Sequence, residues 1–291
     1  MNAIKTTELT KFYGKARGIN DVDLTVEKGD FFGFIGPNGA GKSTTIRILL
    51  GLIKANSGSA EIFGKNILTD KQQILSDIGY LPSESMFYNG MRVKDVIKFS
   101  ADLRKKNCED EAKKLCERLQ LDVMKRVDEL SLGNRKKVAI VCTMQHKPKL
   151  YIMDEPTSGL DPLMQREFFS LLEERNSEGA TIFLSSHVLS EIQRYCNRAA
   201  IIREGRLIRS DTVANLSKSY AKRVTFHGTD SFPEIEGMRD FQQLSESISF
   251  LYSGDIQLLM QELAKHKIND LTIAEPDLEE IFMHFYTEKG E

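Results

Sequence analysis

Long apolar runs are missing from this chain, and none approaches the ~20 residues that a membrane-spanning helix needs. Its first residues, Met1-Asn-Ala-Ile-Lys5, also lack the apolar core of a secretion signal. The expectation is a cytosolic protein that depends on another chain for any membrane spans. Net charge is equally scant, −2 from 40 basic and 42 acidic residues, so no global field draws nucleic acid or an anionic membrane. There are only four cysteines, Cys108, Cys116, Cys142 and Cys196, without C-x-x-C spacing. That excludes a zinc ribbon and leaves reduced thiols, mostly buried or on helix faces.

At 291 residues, 41% hydrophobic and 28% charged, the chain has ordinary globular composition. It is long enough for one large α/β domain and a smaller one. Gly36-Pro37-Asn38-Gly39-Ala40-Gly41-Lys42-Ser43 fits the pattern G-x-x-x-x-G-K-[ST]. Ahead of it, Phe31-Phe-Gly-Phe-Ile35 reads as a short strand buried on both faces, and Thr44-Thr-Ile-Arg-Ile-Leu-Leu50 continues as a helix. Strand, glycine-rich loop and helix, in that order, are the setting in which this pattern grips phosphate. Gly36, Gly39 and Gly41 can take positive φ and so let backbone N–H groups close around an anion at the positive end of the helix. Lys42 supplies a full charge for the β- and γ-phosphates, Ser43 a hydroxyl ligand for Mg²⁺, and Thr44 completes the phosphate-binding set.

The second motif is Leu150-Tyr-Ile-Met-Asp154-Glu155. Tyr151-Ile152-Met153 is too short for a periodic helix and reads as a central parallel strand. Asp154 and Glu155 would then emerge at its carboxyl end, where open α/β sheets bind ligands. Asp154 is the candidate to hold Mg²⁺, directly or through water, and Glu155 the candidate base that polarises an attacking water. An acidic pair capping a strand end would look the same; the phosphate pattern upstream favours the catalytic reading.

Between these motifs the character of the chain changes. Gly79-Tyr80-Leu81-Pro82 ends a strand-like segment, then Val93, Val96, Ile97 and Ala101 share one helical face, and Ala112, Leu115, Cys116 and Leu119 a second. This predicts a helical insertion over about 85–145. Near its end Leu130-Ser-Leu-Gly-Asn-Arg-Lys-Lys137 precedes an apolar helix expected to begin near Val138. Ser131 is either an ordinary N-cap or, with Gly133, part of a second anion site.

Taken in order, Tyr13, Gly36 to Ser43, Ser131 to Lys137, Asp154-Glu-Pro-Thr-Ser-Gly-Leu-Asp161-Pro162 and Ser185-Ser-His187 resemble the ATP-binding subunit of ABC transporters. The resemblance implies an α/β P-loop NTPase core with a β-subdomain and the helical insertion, spanning 1–215, followed by a small C-terminal α+β accessory domain, 216–291. It implies ATP and Mg²⁺ as cofactors, with Tyr13 stacking on adenine and His187 contacting the γ-phosphate. Two such domains would sandwich two ATP molecules, each held by the loop of one subunit and by Ser131 and Gly133 of the other, with Asp161 on the interface. A second nucleotide-binding subunit, expected to be a second copy, and a membrane-embedded permease follow as partners, at the cytoplasmic face of the cell membrane. No nucleic acid is expected.

Two departures from the family pattern stand out. Leu132 replaces a glycine in the Leu-Ser-Gly-Gly-Gln signature, which would remove a close backbone approach if that position needs positive φ. Ser83 stands where a glutamine reaches toward the metal and the lytic water, and is two carbons shorter. Both resemble the ABC-2-type exporter branch and lead to an expectation of slow but real hydrolysis. Beyond Asn215, Ser247 to Ser253 and Leu271 to Ile273 read as strands, Ile256 to Leu263 as a helix, and Asp277 to Tyr286 as a helix capped by Asp277, a small β-α-β-α unit. Two other functions compete with the exporter reading. A soluble ABC ATPase of translation or DNA repair would show tandem domains, coiled coils, zinc cysteines or a basic patch, none of which is visible. A weakly active regulatory subunit would be marked by the altered signature.

Overall fold

Continuous apolar strands organise the catalytic part of the molecule. In the computed structural model, which describes residues 1–14, 16–217, 222–228, 231–244 and 247–274, Phe31–Ile35, Leu150–Asp154 and Thr181–Ser186 are buried at every position. That is the signature of parallel strands covered on both faces. They belong to a six-stranded sheet in the order Arg206–Thr212, Arg198–Arg203, Phe31–Ile35, Thr181–Ser186, Leu150–Asp154, Ile78–Leu81. Arg206–Thr212 joins antiparallel and the other pairings are parallel. The register sets Ile35 beside Ser186 and Asp154 beside Ser185. Residues that follow these strands therefore gather at one end of the sheet.

A second, antiparallel sheet is built on the long strand Asn2–Tyr13, flanked by Ala16–Val22, Thr25–Glu27 and Ser57–Ile62, with Lys65–Asn66 at its edge. A shared core of Ile4, Leu9, Ile19, Phe32, Phe34, Ile46, Ile152 and Phe183 joins the two sheets. Each fully buried aromatic or aliphatic side chain there contributes about 2 kcal/mol.

The helical insertion consists of Val93–Leu103, Glu109–Arg118 and Leu132–Met144. Its buried stripes are those the periodicity predicted, Val93, Val96, Ile97 and Ala101, then Ala112, Leu115 and Cys116, with Leu119 just beyond. The third helix starts at Leu132, six residues before the expected point, because the Ser131 hydroxyl accepts the Asn134 N–H at 3.3 Å and the polar residues 134–137 complete its first turns. Leu132 is accordingly helical and takes no positive φ, so the backbone penalty expected of it does not arise. Charge ties the insertion to the helix Pro162–Ser177: Arg118 meets Glu167 at 2.6 Å and Glu174 at 2.5 Å, and the buried Arg175 pairs with Glu111. All four cysteines are free; Cys108, Cys116 and Cys196 are buried and Cys142 is half-buried.

The chain divides into two units, Met1–Thr212 and Val213–Glu291. The division lies three residues before the expected boundary at 215, because the helix Val213–Ser217 belongs with the second unit. That unit is an antiparallel sheet ordered Met238–Leu244, Ser247–Tyr252, Lys222–His227, Asp270–Ala274, with the helix Ile256–Leu263 capped by Asp255. Its core is Val224, Phe226, Phe250, Tyr252 and Leu259. The predicted β-α-β-α order omits two strands: Lys222–His227 buries only Val224 and Phe226, and Met238–Leu244 buries no residue. The first offers a single step of alternation, Val224 and Phe226, and the second none. The expected helix from Asp277 to Tyr286 lies outside the described residues.

Candidate active site

The loop 36–43 leaves the buried strand Phe31–Ile35 and enters the helix Lys42–Leu49. Gly39 and Gly41 have φ of 81° and 110°, conformations that favour glycine. Gly36 does not use the positive φ open to it; space requires a glycine there instead. A Cβ there would intrude well inside 3.0 Å of the Ile202 carbonyl oxygen, on the neighbouring strand. Ala40 N–H donates to Pro37 O at 3.1 Å and Gly205 N–H to Ala40 O at 2.9 Å, pinning the loop to the turn at 205. Pro37 is half-buried, Asn38 and Gly39 are exposed, and Ser43 and Thr44 are half-buried at the start of the helix.

Lys42 is buried, and its Nζ donates to Gly36 O at 2.6 Å and Pro37 O at 3.1 Å and lies 3.4 Å from Glu155 Oε1. The same carboxylate oxygen is 3.3 Å from His187 Nδ1. Three predicted residues from three separate segments thus meet at the carboxyl end of the sheet. Glu155 holds a φ of 47°, rare for a side chain with a Cβ, while its N–H donates to Ser185 O at 3.0 Å. Such a conformation costs on the order of 1–2 kcal/mol, and it turns the chain sharply where the strand ends.

Asp154 is 3% exposed and its Oδ1 has no hydrogen-bond partner among the described residues; Ser185 Oγ on the adjacent strand is also without one. A buried carboxylate oxygen left in that state is costly unless a ligand completes it. Among the described residues no group of three or more His, Cys, Asp or Glu side chains is placed to hold a metal ion. Asp154 and Ser43, with oxygens of a nucleotide, are the groups that could hold a cation here, a donor set that suits Mg²⁺.

Other predicted residues lie around this centre. Tyr13, 44% exposed, ends the strand that pairs with Ala16–Val22, and Lys11 Nζ stands 5.6 Å from its ring centroid. The paired strand packs on the phosphate loop, since a Cβ on Gly41 would strike Ile19 at 2.6 Å. Ser131 and Gly133 open the third insertion helix, and a Cβ on Gly133 would come within 2.9 Å of Gly159 O. Asp161 caps Pro162–Ser177 by accepting the Leu163 and Met164 N–H groups at 3.1 and 3.0 Å.

Sequence reasoning missed Lys136. It is 4% exposed, and burial depresses its pKa to about 8 against the opposing pull of Asp154 and Glu155. Its place in the polar run Asn134-Arg-Lys-Lys137 gave no sign of burial, which the fold imposes along with that of Ile140 and Thr143 on the same helix.

A parallel sheet with a glycine loop at a helix N-terminus, and with Lys42, Glu155 and His187 meeting at its carboxyl end, defines a P-loop nucleotide-binding domain. Residues 19–158 match the family described as ABC transporter. The chain is 37% identical to the bacitracin transport ATP-binding protein BcrA of Bacillus licheniformis, covering 96% of each protein. It is 31% identical to the bacitracin transport ATP-binding protein BcrA of Enterococcus faecalis, over 96% of this chain and 94% of that one. A solved structure of an ATP-binding subunit of an ABC transporter superposes with a TM-score of 0.70 at 29% identity, over 74% of this chain and 91% of the other. The chain belongs to the ATP-binding proteins of ABC transporters. It is an ATP-binding, ATP-hydrolysing subunit that energises transport.

Proposed function

We propose that this chain powers export through a separate membrane permease, working as one of two nucleotide subunits at the cytoplasmic face of the membrane. The convergence of Lys42 and His187 on the Glu155 carboxylate, at 3.4 and 3.3 Å, carries the hydrolytic part of this reading. The relatives' roles in bacitracin transport support the exporter branch. Among the described residues no helix is long and apolar enough to cross a membrane, in keeping with spans supplied by a partner. Met86 and Tyr88, 93% and 74% exposed on the segment that leads into the helical insertion, suit contact with that partner.

In this account adenine stacks on Tyr13, and the N–H groups of the loop from Gly36 through Thr44 enclose the phosphates. Lys42 exchanges its carbonyl partners for β- and γ-phosphate oxygens. Ser43 and Asp154 would hold Mg²⁺, which supplies charge neutralisation on the phosphates. Glu155 accepts a hydrogen bond from the attacking water and takes its proton, and His187 faces the γ-phosphate. Ser131 and Gly133 of the second subunit close over the same nucleotide, with Asp161 at the joint. Hydrolysis then separates the halves and drives the permease.

Glu155→Gln tests the assignment. Hydrolysis by the purified chain or its permease complex is expected to fall on the order of 10²–10⁴-fold with ATP still bound. Unchanged turnover would remove Glu155 as the base.

A further inference from the structure

One buried ammonium from the helical insertion enters the catalytic end of the sheet and takes no part in the scheme above. Lys136 Nζ donates to Pro82 O at 3.0 Å, to Ser83 O at 2.8 Å and to Glu155 O at 3.4 Å. Three donors meet three acceptors, so the group is fully engaged. The acceptors lie on two separate segments, the turn after the edge strand Ile78–Leu81 and the turn at Glu155 beyond Asp154. Lys136 itself stands on the helix that Ser131 caps.

These contacts are to backbone, so they fix chain position instead of choosing among side-chain rotamers. The Glu155 carbonyl belongs to the residue whose φ of 47° aims the carboxylate. The side chain at 83 is a short, exposed serine, and the connection from that turn to the sheet's catalytic end is made through its carbonyl by the Lys136 ammonium. A single side chain thereby joins the signature helix, the entry to the insertion and the turn that bears the candidate base.

We infer that Lys136 is a positioning residue for hydrolysis: by clamping the 82–83 turn and the Glu155 carbonyl to the Ser131-capped helix, it orients the Glu155 carboxylate and transmits displacement of that helix to it. This inference rests on the reading of Glu155 as the base, and the test separates the two. Mg·ATP turnover and equilibrium binding of a fluorescent ATP analogue are measured on the full chain as wild type, Glu155→Gln, Lys136→Met and Lys136→Arg. Turnover by wild type and its loss in Glu155→Gln decide the base independently of Lys136.

For Lys136→Met the expectation is a kcat at least about tenfold lower, with KM and analogue affinity within about threefold of wild type. Lys136→Arg, which keeps donors in a different geometry, is expected to fall between the two. The chain contains no tryptophan, so Met86→Trp places a lone fluorophore just past Ser83. Lys136→Met in that background is expected to lower its anisotropy as the turn is released. Wild-type kcat in Lys136→Met, or parallel losses of kcat and affinity with reporter anisotropy unchanged, overturn the inference. Should Lys136→Met fail to fold, Lys136→Arg decides: reduced kcat at unchanged affinity upholds the positioning role, and wild-type kcat or parallel losses overturn it.

Discussion

Replacing Gly36 with alanine should damage nucleotide binding more than replacing Gly39, although Gly39 has the more unusual backbone. A Cβ at position 36 would meet the Ile202 carbonyl oxygen well inside 3.0 Å, Ile202 Cγ2 at 2.9 Å and Ala40 Cβ at 3.0 Å. Ile202 cannot retreat easily: its strand, Arg198–Arg203, is paired on one side with Phe31–Ile35 and on the other with Arg206–Thr212. The loop must move instead, by at least about half an ångström. Overpacking of this kind costs about 1–3 kcal/mol of stability. A shift near 1 Å in groups that hold a reacting phosphate costs on the order of 10²-fold in rate. At Gly39 nothing lies within 4 Å of an added Cβ, and only the φ of 81° resists, a penalty of about 1–2 kcal/mol. Titration with a fluorescent ATP analogue, with thermal melts alongside, compares the variants. Gly36→Ala is expected to weaken binding at least about tenfold, and more than Gly39→Ala. Gly36→Ala with wild-type affinity would refute the steric argument and the placement of the loop against Ile202.

Arg175→Met should leave Glu111, among the described residues, with only the more distant Lys147, 3.4 Å away, costing about 3 kcal/mol and lowering Tm by on the order of 6–12 °C; an unchanged melt would contradict it. His146 is buried with Nε2 3.2 Å from Ile78 O, and desolvation, assisted by Arg104, holds its pKa down at about 4. Because the folded pKa lies below the unfolded value near 6.5, its contribution is complete above about pH 6.5 and is lost as pH falls toward 4, up to about 3 kcal/mol. His146→Gln should flatten that part of the stability curve in melts between pH 7 and 4.5, and a parallel curve would count against it. Burial pushes the Cys116 thiol up to about 11 and Cys142 to about 12, and raises Cys108 and Cys196 as well. A thiol-reactive disulfide should therefore label the native chain slowly and all four cysteines on denaturation; rapid native labelling would refute the buried placement.

The phosphate loop and the Asp154-Glu155 strand were legible because each carries a local pattern, an apolar run followed by residues that only a few chemistries need. Phe31–Ile35 and Leu150–Asp154 emerged as the expected buried strands. What escaped depends on neighbours distant in sequence. Gly36 is required by Ile202, 166 positions away, and not by its own φ. The role of Ser131 as a cap moved a helix start from Val138 to Leu132. Lys136 resembles a solvated lysine in a polar stretch until the fold places Pro82, Ser83 and Glu155 carbonyls around it. In the second unit, Met238–Leu244 is held by pairing with Ser247–Tyr252 and shows no alternation of its own.

Whether this ATPase works with a membrane permease is decided by purifying the tagged chain from detergent-solubilised native membranes and identifying by mass spectrometry what accompanies it. The account predicts a stoichiometric polytopic membrane protein. Ribosomes, DNA-repair proteins or no membrane partner would contradict it.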